Sequence, residues 1–500
     1  MIDEPLLEID DIQGHLVPGF GTRYMRIVGL KIQDTAQFKT QIAPTVNALT
    51  SATKALAKRD ARKASLMATG ERPADPDVLS AMAFSAPGLQ RLGVDLRRLK
   101  DRRFKRGMAF DAPELGDHSN EDGPVGWVFG ADEATNPDVL MLFGCELPDE
   151  LDRFVTGFIA SVADSTDVVL NQLGDRPEDD KEHFGFKDSV SQPAVRGRVS
   201  EDRPLYSRYL AETDPFFDLQ ARPGQALIWP GQFIFGYPVQ LTNPTTPGRN
   251  ADPGTAWMKN GSYLVVRRLS QDVAQFRTAM ADQAARLKTE HDIEITPESL
   301  AARLVGRWPD GTPVTHSTSG PDATISGNRM RINDFAYERD AAQRILSSGE
   351  TFTGPPADIG GLRCPELAHI RKINPRDGRT AIGSEFTPAK LILRRGVNFG
   401  TRFEDCPDDE RGLFFMCYQT SITNQFVFLQ KFWGNTHNRP TLSGHDFVIG
   451  QTQNEQNRRF GSIPLEGKTC ALDFNGRWVT TTGGGYFSVP GIEGVKGILG

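Results

Sequence analysis

Cysteine is scarce and shows no pairing pattern: Cys145, Cys364, Cys406, Cys417 and Cys470 are the five present, scattered and without a CxxC. A disulfide framework or a zinc ribbon therefore has no basis in this chain. Long apolar runs are missing as well; no stretch approaches the ~18 uninterrupted apolar residues of a spanning helix. The first twenty residues, MIDEPLLEIDDIQGHLVPGF, hold acidic residues and no apolar run of leader length. These absences set the expectation of a cytoplasmic protein with no membrane partner. An excess of positive charge is also lacking, since 57 Lys and Arg face 64 Asp and Glu for a net charge of −7. That balance argues against a nucleic-acid partner. GxSxG, HExxH and Walker-type lysine motifs do not occur.

What is present is ordinary globular composition, 38% hydrophobic and 24% charged, over 500 residues. That length exceeds the ~250–300 residues at which one core stops growing, so two domains or one domain with large insertions are expected. Strand-like runs and amphipathic helices alternate in an order that occurs twice. The first set runs through YMRIVGLKI (24–32), a helix from Ala36 to near Lys58, AMAFS (81–85), DVLMLFGCEL (138–147), a helix from Pro148 through Ile159, and TDVVLNQL (166–173). The second runs through GSYLVVRRL (261–269), a helix from Gln271 to about Lys288, AKLILRR (389–395), GLFFMCYQ (412–419), a helix from Ile422 to Trp433, and a strand around Gly485–Val489. Both read β-α-β-β-α-β, so the predicted class is α+β, built from duplicated ferredoxin-like units with antiparallel sheets. The expected division is 1–200 and 201–500, the second unit carrying Gly- and Pro-rich insertions at about 290–388 and 435–480.

Eight histidines are few enough to weigh singly. His15, His118, His291, His316 and His437 sit in polar, loop-like sequence and read as exposed bystanders. His183 and His445 have acidic neighbours but no second ligand at metal spacing. His369 differs: in CPELAHIRKINPR (364–376) it lies among Leu367, Ala368 and Ile370, with Arg371, Lys372 and Arg376 following. A lone histidine beside apolar residues is more often a core residue than a ligand. The basic cluster alters the balance, because it suits a large planar anionic cofactor whose metal the imidazole binds. Glu366 and His369 have the spacing of half a metal site, but no second histidine follows, so zinc hydrolysis gains little. Asp188, in the loop GFKDSVSQP, reads equally as an Asx-turn or helix cap. Arg394 and Arg395 end a strand-like run, and alternation turns one of them inward, where a buried guanidinium needs an anion or a structural ion pair. Gly483–Gly485 precede an aromatic strand and not a helix, so they are no phosphate loop.

Taken in order, nine stretches resemble the dye-decolourising peroxidases, a haem family of duplicated ferredoxin-like folds. They are DIQGHLVPGF, GFKDSVSQP, IWPGQFIFGYP, NGSYLVVRRLSQDV, LVGRWPDGTPV, CPELAHIRKINPR, LILRRGVNFG, GLFFMCYQTSITNQFVFLQKFWGN and GGGYFSVPG. The resemblance implies haem b in the second unit and His369 as proximal iron ligand. It implies that Asp188 is the distal aspartate and Arg394 the distal arginine, with the adjacent Arg395 as fallback. Leu413 and Phe415 match apolar residues walling the distal pocket, and Arg371 and Arg376 match contacts to the haem propionates. The implied activity is oxidation of dyes, phenols or other bulky reductants by hydrogen peroxide, in one-electron steps through a ferryl intermediate. In one place the chain departs from the family: its GxxDG motif ends in Ser189 instead of glycine, which strains or reshapes the turn if that position has φ > 0. Two other classes stay open, a haem-handling protein with incidental peroxidase activity and a scaffold without haem. Homo-oligomerisation is also left open.

Overall fold

Apolar residues recurring along YMRIVGLKI form strand β1 (Tyr24–Ile32), whose successive side chains divide between two hydrophobic layers. Met25 and Ile27 join one layer, and Val28, Leu30 and Ile32 the other. β1 belongs to a computed structural model that describes residues 2–340, 343–452 and 456–500. The helix expected from Ala36 to Lys58 is two helices, α1 (Thr35–Asn47) and α2 (Ala52–Thr69). The break has a local cause: the Ser51 hydroxyl accepts the Lys54 N–H and starts a new helix. Strand β2 (Leu79–Phe84), strand β3 (Val139–Cys145), helix α3 (Pro148–Val162) and strand β4 (Thr166–Asp175) complete the first set.

The second set is β5 (Ser262–Gln271), α4 (Val273–His291), α5 (Pro297–Val305), the short helix α6 (His369–Ile373), β6 (Leu393–Arg394), β7 (Val397–Phe399) and β8 (Gly412–Gln419). A π-helix, Thr423–Gly434, follows, then the hairpin β9 (Arg459–Leu465) and β10 (Lys468–Phe474), and finally β11 (Val479–Val489). The run AKLILRR is not the continuous strand expected. Its start lies in a 3₁₀ turn (Ser384–Lys390) containing Pro388, which has no N–H for a ladder, and pairing begins only at Leu393. The last strand is longer than expected and contains the three glycines. A Cβ on Gly483 would meet the Phe129 ring and one on Gly484 the Met108 sulfur, so these glycines serve close packing.

Strand order repeats. The first half lies as β4-β1-β3-β2 and the second as β11-β5-β8-β7, with β6 also beside β8. β2 meets β11 at Phe84 and Ser488, and β4 meets β7 at Asp175 and Asn398. The two antiparallel sheets thus close into one barrel, which removes the free edges of each. Leu140, Leu142, Leu264, Val266, Phe414 and Met416, all at most 1% exposed, pack together in one core. Each such side chain contributes about 1.5–3 kcal/mol relative to exposure. Along β8 the alternation leaves Leu413 and Phe415 half-buried on the opposite face, which is what the functional site uses.

Candidate active site

A cavity of 660 Å³ opens beside β5, β8 and β11, with α6, the π-helix and the 182–193 loop contributing to its walls. Its volume lies in the range of cofactor and ligand sites. His369, Asp188, Arg394, Arg376, Leu413 and Phe415 all line it.

His369 opens α6 after Ala368, and its side chain keeps 26% exposure towards the cavity. Its Nδ1 lies 2.8 Å from Asp446 Oδ2. Asp446 is fully buried, and the N–H groups of Val448 and Ile449 donate to its other oxygen. Burial opposes ionisation of Asp446, but its contact with His369 and these hydrogen bonds outweigh it and hold the carboxyl below its ordinary value. An ionised carboxylate can only accept, so in the neutral imidazole Nδ1 carries the proton and Nε2 keeps its lone pair. No hydrogen bond engages Nε2 among the described residues. Asp446, in GHDFVIG, carries no signal in the sequence; only the fold brings it to a histidine 77 positions away.

Asp188 is held by its own N–H, which donates to Asp180 O at 2.8 Å. Its Oδ1 lies 3.6 Å from Arg394 Nη1. Arg394 is fixed in turn: its Nη2 donates to Ser191 O at 2.9 Å and its N–H to Gln192 Oε1 at 3.1 Å. Arg395 points elsewhere, donating to the carbonyls of His15 and Leu16 at 3.1 and 2.9 Å, and it does not line the cavity. His15 itself, expected to be exposed, is 1% exposed beside Tyr418 Oη at 2.7 Å. Burial, helped by the Arg395 charge, pushes its pKa down to about 3. His316, also expected to be exposed, is half-buried.

Ser189 has φ 58°, the left-handed conformation in which glycine is favoured. Serine already holds that conformation here, so the expected cost falls on stability. Ser189→Gly is expected to relieve about 1–2 kcal/mol of strain, offset in part by about 0.5–1 kcal/mol of glycine chain entropy. Thermal unfolding should rise slightly, and stopped-flow reaction with peroxide should stay within about twofold of wild type.

Two arginines stand out on the cavity wall. Arg307 donates to Gly311 O, Ile332 O and Asn333 Oδ1, and Arg376 donates to Asn333 O and Phe335 O. Neither has an ion-pair partner among the described residues. Burial pushes Arg307 down to about 9 and lowers Arg376. A buried and a half-buried cation without an ion-pair carboxylate suit an anionic ligand. Arg371 corrects an expectation: its guanidinium donates to Asp358 and to Cys364 O, stacks over Tyr337 and does not line the cavity. The Asp358 carboxylate at 3.2 Å draws it into the 358–364 loop. Arg307 was not singled out from the sequence; LVGRWPDGTPV marks it only through resemblance.

Residues 11–175 match the DyP dimeric alpha+beta barrel domain, and residues 242–452 match the Dyp-type peroxidase, C-terminal family. The chain belongs to the dye-decolourising peroxidase family. A dye-decolorizing peroxidase of Mycetinis scorodonius, msp1, is 29% identical over 515 residues, covering 99% of this chain and 88% of that protein. The Auricularia auricula-judae enzyme AauDyP1 is 28% identical, with 99% and 87% covered. Among solved structures, an ancestral D-type dye decolorizing peroxidase superposes with a TM-score of 0.77 at 29% identity, covering 99% of both chains. A dye-decolorizing peroxidase in complex with 2,6-dimethoxyphenol superposes with a TM-score of 0.73 at 27% identity, covering 99% of this chain and 100% of that one.

Dye-decolourising peroxidases are haem enzymes, and the cavity fits that group on its own chemistry. One imidazole nitrogen is available, Leu413, Phe415, Ile370 and Leu429 give apolar wall, and Arg307 and Arg376 supply unpaired positive charge for carboxylates. No helix among the described residues is long and apolar enough to cross a membrane.

Proposed function

We propose that this chain holds haem b through His369 Nε2 and reduces hydrogen peroxide to water, while two reductant molecules each lose one electron. The supporting observation is that His369, Asp188, Arg394, Leu413 and Phe415 line one cavity. When bound, the haem supplies the redox chemistry that accepts oxidising equivalents from peroxide and passes them on one at a time. Asp446 keeps the His369 imidazole oriented and electron-rich by accepting a hydrogen bond from its Nδ1–H. Asp188 takes the proton from one peroxide oxygen and returns it to the other, which departs as water. Arg394 offers fixed positive charge to the oxygen that becomes negative as the O–O bond breaks. Arg376 and Arg307 meet the propionate carboxylates. Leu413 and Phe415 leave room for peroxide and keep bulky molecules out, so dyes and phenols give up electrons at the cavity rim or at the surface. The dimethoxyphenol bound to a relative supports that substrate class.

The five cysteines are all free, which favours a reducing compartment, and a cytoplasmic location is part of the proposal. The test is an absorption spectrum with and without one equivalent of peroxide. A Soret band that changes rapidly on addition supports the peroxidase; a Soret band that changes only slowly favours haem handling, and no band favours a bare scaffold. For Arg394→Leu the expected result is retained haem and a reaction with peroxide slowed by about 10²–10³. A larger loss from Arg395→Leu would reverse the assignment.

A further inference from the structure

The loop that presents Asp188 is closed from inside by one carboxylate. Glu182 Oε2 accepts the Phe184 N–H and Oε1 the Phe186 N–H, both at 2.9 Å. Gln271 of β5 donates to Oε2 at 2.6 Å, tying the carboxylate to the barrel. The main chain tightens the same turn: Glu182 N–H donates to Phe186 O at 3.0 Å, and Gly185 N–H to Glu182 O at 2.9 Å. Phe184 stacks on Phe276 of α4 with centroids 4.4 Å apart. Glu182 and Asp188 both line the cavity. We propose that Glu182 is a positioning residue that fixes the 182–188 loop, and through it the aim of Asp188 at Arg394. The inference rests on the reading of Asp188 as proton carrier.

The chemistry favours a carboxylate over any neutral side chain here. Two N–H groups and one amide NH₂ point at the same group, so it must be acceptor-only, with two oxygens. A glutamine at this position supplies one oxygen and turns an NH₂ towards an N–H donor, leaving one buried donor unpaired. Burial strongly disfavours the charged form and lifts the Glu182 pKa to about 7, against the hydrogen bonds from Phe184, Gln271 and Phe186.

Glu182→Gln is expected to bind haem normally yet react with stoichiometric peroxide about 10²-fold more slowly, the scale of loss a misplacement of about 1 Å produces. Its ferric form should bind cyanide more weakly, since an incoming HCN loses its oriented proton acceptor. Gln271→Leu, which removes one of the three donors but leaves both N–H bonds in place, should slow the reaction with peroxide less than Glu182→Gln does. The exchanged pair Glu182→Gln with Gln271→Glu restores a carboxylate–amide contact but not the two N–H bonds, so it should not recover the rate. Full recovery by that pair would overturn the proposal in favour of a simple Gln271 contact, as would wild-type peroxide and cyanide behaviour in Glu182→Gln alone. Should Glu182→Gln fail to fold, hydrogen exchange of the wild-type protein without haem decides the matter. Protected Phe184 and Phe186 amides are expected, and exchange at open-loop rates would refute the clamp. A slow Asp188→Asn beside a normal Glu182→Gln sinks this inference alone, whereas a normal Asp188→Asn sinks the reading of Asp188 beneath it.

Discussion

His369→Ala is expected to purify without a stable haem. Among the described residues His369 is the one histidine lining the cavity, and its Nε2 is the nitrogen that Asp446 leaves available. Losing even an outer partner of a metal ligand costs about 10–100-fold in affinity, so loss of the ligand itself should exceed that. Arg376, Arg307 and the apolar wall stay in place and retain weak affinity for the macrocycle, which dialysis should strip. The measurement is the ratio of Soret to protein absorbance after purification. Added imidazole should restore part of the band, because it returns the nitrogen donor without its tether to α6. A full Soret band in the untreated variant would remove His369 from the iron.

Asp188→Asn should keep its haem and lose most of its reaction with peroxide. The substitution preserves size, and the main-chain bond from residue 188 to Asp180 O does not depend on the side chain. An amide, however, cannot accept and return a proton at neutral pH, and a positioned acid–base group contributes about 10²–10⁴ in rate. Arg394 loses the carboxylate 3.6 Å from its Nη1 but keeps its bonds to Ser191 and Gln192, so the fixed charge stays in position. The residual rate therefore reports what Arg394 does alone. Stopped-flow recording of the Soret change at one equivalent of peroxide measures it. Equal rates for wild type and variant would leave Arg394 as the main distal group.

Much of this protein is written in local pattern. Strands β1, β3, β5 and β8 follow from runs of apolar residues, and their β-α-β-β-α-β order repeats, because side-chain periodicity is a property of neighbouring residues. His369 was conspicuous among eight histidines for the same reason: its apolar and basic neighbours are adjacent in the chain. Ser189 departs from a motif glycine, and its φ of 58° lies in the left-handed region that favours glycine. Other features depended on contacts between distant residues. Whether Arg394 or Arg395 turns to the cavity was settled by acceptors near residues 15 and 191, far away in sequence. Arg371, next to the histidine in sequence, is captured by Asp358, while Arg307, sixty-odd positions away, reaches the cavity wall. Asp446 and Glu182 each look like an ordinary acidic residue until the fold sets them against specific donors. Residue types and periodicity encode which segments fold, whereas the partner of a buried charge is chosen by desolvation, and that acts only once the barrel has closed and its helices have packed.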